Sequence, residues 1–400
     1  MKLRFPANSS PKIAFWLKYG LPVWVLLQVQ TANGQTRDAI DVLTKTHSKL
    51  SQIKQLGFTY THDINYRSEN YRAKRQGKAY LDFTSQDILI GFRFIDHHSA
   101  GQTIYNDEQL IFMNDKDTTI DIDYKPRRQS LGGAGFMLNS PITLRYSIPK
   151  LLTDNSIGKT IRDTIISGKT YYLVSVELMN AGLSYLGDIS KFTIKRTCIY
   201  EIIIDRKSYL PIQIIQKVKE VPGDYTQTIF SEYTLKPKKP SDYDWYASTY
   251  TDHYKPKKQR VLIAAGAIAP LWELPLTKEE RKLSLADLKG KVVLLEFWFK
   301  NCGPCIEAVP SLNALDEKMK GKPFILIGIN AEDTLKDALW FIGKRNVRYT
   351  TVYDGKKVAE EYGISAYPSA VLIDKAGNIL YTGSMDNERL VELIEKTLSQ

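Results

Sequence analysis

Val292-Val293-Leu294-Leu295-Glu296-Phe297-Trp298-Phe299-Lys300-Asn301-Cys302-Gly303-Pro304-Cys305 is the stretch on which the fold turns. Its apolar run has the length of a strand buried on both faces, as in the parallel sheet of an α/β domain. Pro304 cannot continue a strand but is tolerated in the first turn of a helix. Cys302 therefore falls at a strand-to-helix junction, with unpaired N–H groups and the positive end of the helix dipole beside its sulfur. That setting favours thiolate, the form that attacks a disulfide. Cys305, one turn into the helix, is placed to resolve a mixed disulfide.

The pair reads as a redox dithiol, against half of a zinc site or a short structural disulfide. Zinc would need a second pair of Cys or His ligands at fitting spacing, and the chain has three cysteines and five scattered histidines. Glu296 lies inside the same apolar strand. A carboxylate there should have a raised pKa and suit general acid/base work near neutral pH.

Four hundred residues suggest two domains of ordinary size. The formal charge is +11, but Lys2, Arg4, Lys12 and Lys18 lie in residues 1–34, which carry no acid, so the remainder holds +7. That excess is moderate and gives no case for nucleic acid. Residues 1–34 have a basic start, an apolar core at 21–27 and small residues at Ala32-Asn33-Gly34, the pattern of a cleaved export signal. The alternative is an uncleaved membrane anchor. Export implies an oxidising compartment, here taken as the periplasm, yet one close cysteine pair and an isolated Cys198 do not make a disulfide framework. Cys198 sits on the apolar face of an alternating segment and reads as a core residue.

Residues 35–235 read as one α+β domain with a curved antiparallel sheet. Apolar spacing at Ile40, Leu43, Leu50 and Ile53 predicts a first helix. Period-two patterns predict strands over 58–66, 78–83, 88–95, 103–113, 118–124, 160–166, 171–177, 192–205, 211–219 and 225–235. Residues 142–152 read as a helix kinked or broken at Pro149. Two Gly-Lys-Thr triplets, at 158–160 and 168–170, lack the upstream glycine of a phosphate loop and read as turns. Residues 236–260, basic, proline-bearing and aromatic, read as a linker. From 261 to 400 strand and helix patterns alternate, as in an α/β domain with a covered central sheet.

The last 140 residues or so resemble the thioredoxin fold, and within it the exported TlpA/ResA-like thiol-disulfide oxidoreductases. The resemblance is carried by Ala269-Pro270-Leu271-Trp272-Glu273-Leu274, by Leu288-Lys289-Gly290-Lys291-Val292-Val293 leading into Phe297-Trp298 and the dithiol, by Pro310, and by Tyr367-Pro368. It implies that Pro368 is cis, that the backbone of Tyr367 pairs with a substrate chain, and that Trp298, Gly303 and Pro304 line the docking surface. It also matches Glu296 to a buried acid that assists proton transfer. No cofactor is implied beyond the Cys302–Cys305 disulfide itself, and the partners implied are protein disulfides and a membrane electron donor. Two positions depart from the family: Ala308 stands where relatives often carry a glutamate, and Asn301 where many carry tryptophan. Phe299 replaces the threonine of a peroxidase. Residues 35–235 resemble LolA-like half-barrels, which implies an apolar ligand or lipid in the concave face. A carrier protein with an accessory thioredoxin-like domain is the competing class.

Overall fold

The computed structural model describes residues 39–192, 195–258 and 260–399. The export signal expected over residues 1–34 lies outside them. Among the described residues no helix is long and apolar enough to cross a membrane. The chain divides into two compact units, with the boundary after Pro256.

The first unit opens with α1 (Ala39–Gln52) and runs into β1 (Gln55–Tyr66), β2 (Tyr71–Asp82), β3 (Arg93–His98), β4 (Gly101–Tyr105), β5 (Leu110–Asn114) and β6 (Thr119–Asp123). After α2 (Pro141–Thr153) come β7 (Gly158–Ile166), β8 (Lys169–Met179), β9 (Ala181–Leu183), β10 (Ile189–Lys191) and β11 (Thr197–Ile204). Strands β12 (Pro211–Val218), β13 (Tyr225–Thr234) and the two-residue β14 (Lys255–Pro256) complete it. They join in one 14-stranded sheet, ordered β10-β9-β11-β12-β13-β1-β2-β3-β4-β5-β6-β14, with β8 also on β11 and β7 on β8. Nearly all neighbours are antiparallel; β14 on β6 and β9 on β11 are parallel.

Helix α1 buries Val42, Leu43, Thr46 and Leu50, while Ile40, expected on that face, is 47% exposed. Ser140 caps α2 through a capping box, and the helix runs on through Pro149 to Thr153 without a break. Cys198 is buried in the core under these helices, and burial raises its thiol pKa. The strand expected over 88–95 starts only at Arg93, because the Asp87 carboxylate accepts from the N–H groups of Leu89, Ile90 and Gly91 and folds that stretch into a turn. The segment 103–113 is two strands: the Asn106 side chain accepts from the N–H groups of Glu108 and Gln109, and Asp107 takes φ 78°. Gly158-Lys159-Thr160 lies inside β7, whereas Gly168 belongs to the hairpin turn between β7 and β8.

Residues 242–256 are built into the first unit, so its edge lies beyond the 235 expected from sequence. Trp245 is buried against Ile95, Ile104, Ile111 and Met113. The Arg93 guanidinium sits 4.3 Å from the centre of its ring. Prolines and charge suggested an extended chain there; the apolar back of β3–β5 is what gathers it in.

The second unit has a thioredoxin-like fold. A hairpin of β15 (Glu273–Pro275) and β16 (Lys282–Ser284), not foreseen from sequence, precedes β17 (Val292–Trp298), α3 (Gly303–Lys318) and β18 (Phe324–Asn330). Helix α4 (Leu335–Arg345), β19 (Thr350–Val352) and α5 (Lys356–Glu361) follow. Strands β20 (Ser369–Ile373) and β21 (Ile379–Ser384) and helix α6 (Asn387–Leu398) end the unit. The sheet order is β19-β18-β17-β20-β21, with β17, β18 and β19 parallel and β20 and β21 antiparallel. Every residue of β17 is buried, as its continuous apolar run requires of a central strand.

Gly328 lies opposite Glu296 on β18. A methyl group there would stand 2.9 Å from Trp298 Nε1 and 3.0 Å from Tyr349 Cε2. Overpacking of this kind costs about 1–3 kcal/mol. Gly328→Ala is therefore expected to lower the denaturation midpoint by that amount of free energy at unchanged slope, and an unmoved midpoint would show that the pocket yields freely.

Candidate active site

Strand β17 delivers the chain to the N-terminus of α3, where Cys302 is the N-cap residue. The backbone N–H of Cys305 donates to the Cys302 sulfur at 3.1 Å, and that of Ile306 donates to the Cys302 carbonyl at 3.1 Å. Pro304 costs the helix nothing there, since a first-turn N–H has no intrahelical partner. Cys302 and Cys305 are joined as a disulfide with Cα atoms 5.2 Å apart. Cys302 keeps 3% of its surface exposed and Cys305 none. Of the two, Cys302 is the one nearer the surface.

Alternation along β17 sorts its side chains. Val293, Leu295 and Phe297 enter the core on one side of the sheet. Val292, Leu294 and Trp298 face the other, packing with Cys302, Cys305 and the inner face of α3. Glu296 has the parity of this second set, so the acid and the dithiol lie on one side of the sheet. Glu296 is 1% exposed, and burial pushes its carboxyl up to about 7. The buried hydroxyl of Tyr349 donates to Glu296 Oε2 at 2.6 Å and pulls the other way. This partner lies 53 residues on in the chain, one residue before the edge strand β19. No local pattern pointed to it.

The Tyr367–Pro368 peptide is cis. Tyr367 is half-buried, its ring edge-on to Phe299 at 5.3 Å. Gly303 and Pro304 are exposed at the helix start. Trp298 needs a correction. It is 1% exposed and stacks on Phe341 at 4.5 Å, so it supports the site from beneath and touches no docked chain. Its even spacing from Glu296 puts it inside, and Phe299 is the aromatic left at the surface. Ala308 packs against the α3 core, and Glu307 is exposed on the helix.

A strand-to-helix dithiol with a buried acid on the same sheet face, in this topology, is the site of a thioredoxin-like thiol-disulfide oxidoreductase. Residues 264–397 match the redoxin family. The thiol-disulfide oxidoreductase ResA of Bacillus thuringiensis is 33% identical over 121 residues, 30% of this chain and 70% of that protein. The thioredoxin-like protein YneN of Bacillus subtilis is 29% identical over 143 residues, 34% of this chain and 83% of its own length. A thiol:disulfide interchange protein DsbE structure from Chlorobium tepidum is 29% identical, with 34% of this chain covering 99% of it at a TM-score of 0.32. Through its second unit the chain belongs to the ResA family of thiol-disulfide oxidoreductases.

Glu296 gives a stability signature. Its folded pKa, about 7, lies above the ordinary 4.5, so the unfolded chain loses this proton first. The group's contribution is complete below about pH 4.5 and is lost as pH rises towards 7. Stability of the oxidised protein is expected to fall across that window, and Glu296→Gln to flatten the fall. Tyr349→Phe, which removes the donated hydrogen bond, should carry the upper end of the window to higher pH. Denaturant titrations at half-unit pH steps read both; equal slopes in parent and Glu296→Gln would place the carboxyl's titration elsewhere.

Proposed function

We propose that this protein is an exported reductase of protein disulfides, working in the periplasm. The observation carrying this is the asymmetry of the two cysteines: Cys302 caps the helix N-terminus with its sulfur accepting from the Cys305 N–H, while Cys305 lies one turn inside with no exposed surface. In the reduced form the Cys302 thiolate attacks one sulfur of a target disulfide, forming a mixed disulfide and releasing the other target sulfur as a thiolate. Cys305 then gives up its proton, attacks the Cys302 sulfur, and expels the second target thiolate. The products are a target dithiol and the Cys302–Cys305 disulfide, and two electrons have passed to the target.

Glu296 takes the proton from Cys305 and returns it to a departing thiolate, a task suited to a carboxyl near neutrality. The Tyr367 backbone before cis-Pro368, with the exposed Gly303 and Pro304, forms the surface on which a target segment docks. No cofactor enters, because the dithiol is itself the redox group. A membrane electron donor returns the pair to thiols.

In cells, Cys305→Ser is expected to accumulate mixed disulfides through Cys302, and the added Cys302→Ser to abolish them. A chain on which nothing accumulates does not reduce disulfides by this route. The dithiol potential fixes direction: a reductant falls near roughly −270 mV, whereas a value near about −120 mV marks an oxidant.

A second reading concerns the first unit, taken as a half-barrel whose sheet wraps α1 and α2. The unit holds a cavity of about 330 Å³ lined by Ile64, Ala73, Ala134, Leu138 and Tyr185, with His62, Lys74 and Arg75 also in its wall. An apolar or lipid ligand fits that lining, and on this reading the thioredoxin-like unit is an accessory to a carrier. Organic extraction of the purified full chain should release such a ligand, and Ala73→Trp, which fills the space, should lose it. A chain that yields none, or an equal yield from both proteins, removes the carrier reading.

A further inference from the structure

Lys300, two residues before Cys302, has no part in the thiol chemistry described above, yet its side chain is 5% exposed. Burying an ammonium is costly unless it is paired and held in place. Its Nζ donates to Asp337 Oδ1 at 2.6 Å and lies 5.3 Å from the centre of the Trp340 ring. Asp337 is in the first turn of α4, where it also accepts from the cap residue Thr334. The hydrogen bond from Lys300 holds this carboxyl below its ordinary pKa, so the pair is ionic.

The backbone of the same residue is anchored as well. The Lys300 N–H donates to Asp333 Oδ2 at 2.6 Å, and that oxygen also accepts from Asn330 Nδ2 at 2.7 Å. Asn330 ends β18 directly opposite Trp298, the last residue of β17. The turn that carries Cys302 is thus held from two directions. On one side is the cap of α3, and on the other a tether from both backbone and side chain of Lys300 to the β18–α4 connection.

We propose that Lys300 is a positioning residue for the dithiol, its buried tether to Asp337 and Asp333 holding the turn so that the Cys302 sulfur stays against the first N–H groups of α3. The inference rests on Cys302 being the attacking sulfur, which mass-spectrometric mapping of alkylation in the reduced parent chain tests separately. Label arriving on Cys305 would sink that premise and not the tether.

The experiment follows the alkylation rate of Cys302 against pH in the reduced full-length chain, for Lys300→Met, Lys300→Arg and Asp337→Asn. Loss of the tether lets the sulfur leave the helix N-terminus, so Lys300→Met and Asp337→Asn should both move the ionisation midpoint upward by about one pH unit, a tenfold loss of thiolate below it. Lys300→Arg keeps the cation, the donors and the stacking partner and should stay within about threefold of the parent. Thermal melting of each variant separates this from general loosening. A parental midpoint in Lys300→Met, at whatever melting temperature, overturns the proposal. So does a midpoint that rises in Lys300→Met but falls in Asp337→Asn, since opposite signs mean that charge and not position is acting. If Lys300→Met does not fold, Asp337→Asn decides by the same measure.

Discussion

The hydrogen bond from the Cys305 N–H to the Cys302 sulfur is the contact around which the second unit is arranged. It makes the cysteine side chain do what Ser, Thr or Asp does at other helix starts, accepting from a first-turn donor. A sulfur in that role is stabilised as it gains negative charge, because the helix dipole and the free N–H groups converge on it. The rest of the unit keeps the cap in register. A fully buried β17 fixes the approach to the turn, and Val309, Leu312 and Leu315 fix α3 on the sheet.

Against that frame the placement of Glu296 is an exception the fold has to tolerate. A carboxyl in the middle of a central strand has no water to solvate it, and the protein answers with one neutral donor, Tyr349, and no cation among its recorded partners. Gly328 leaves the space into which the Tyr349 ring and the Trp298 indole fit beside it. The result is an acid that can exist in either protonation state near neutrality. Such a group contributes little to stability, and a hydrophobic residue would fill the position more comfortably. That local rule-breaking is the basis for the proton-transfer role proposed for Glu296.

What was legible in the sequence was what is local. The strand, the helix start and the order of the two cysteines are all contained in fourteen residues, and the alternation of β17 places Glu296 on the dithiol side. The same alternation, carried two residues further, puts Trp298 on the dithiol side of the sheet under α3, whereas the family resemblance implies a place on the docking surface. Tyr349 and Asp337 were beyond reach because they lie 53 and 37 residues from Glu296 and Lys300 and meet them only in the folded unit. Nothing in the local sequence marks Lys300 as buried. In the first unit, strand content was readable from period two, but turns made by side-chain acceptors, as at Asp87 and Asn106, were not, since both lie within otherwise strand-like runs.

The two-residue strand β14 has a role out of proportion to its length. It lies along β6 at the end of a long sheet, where a row of unpaired backbone groups would otherwise be free to recruit another chain. Lys255 supplies one N–H to the Thr118 carbonyl, and Pro256 then withholds the next donor altogether. The sheet thus terminates in a blunted margin that disfavours edge-to-edge aggregation.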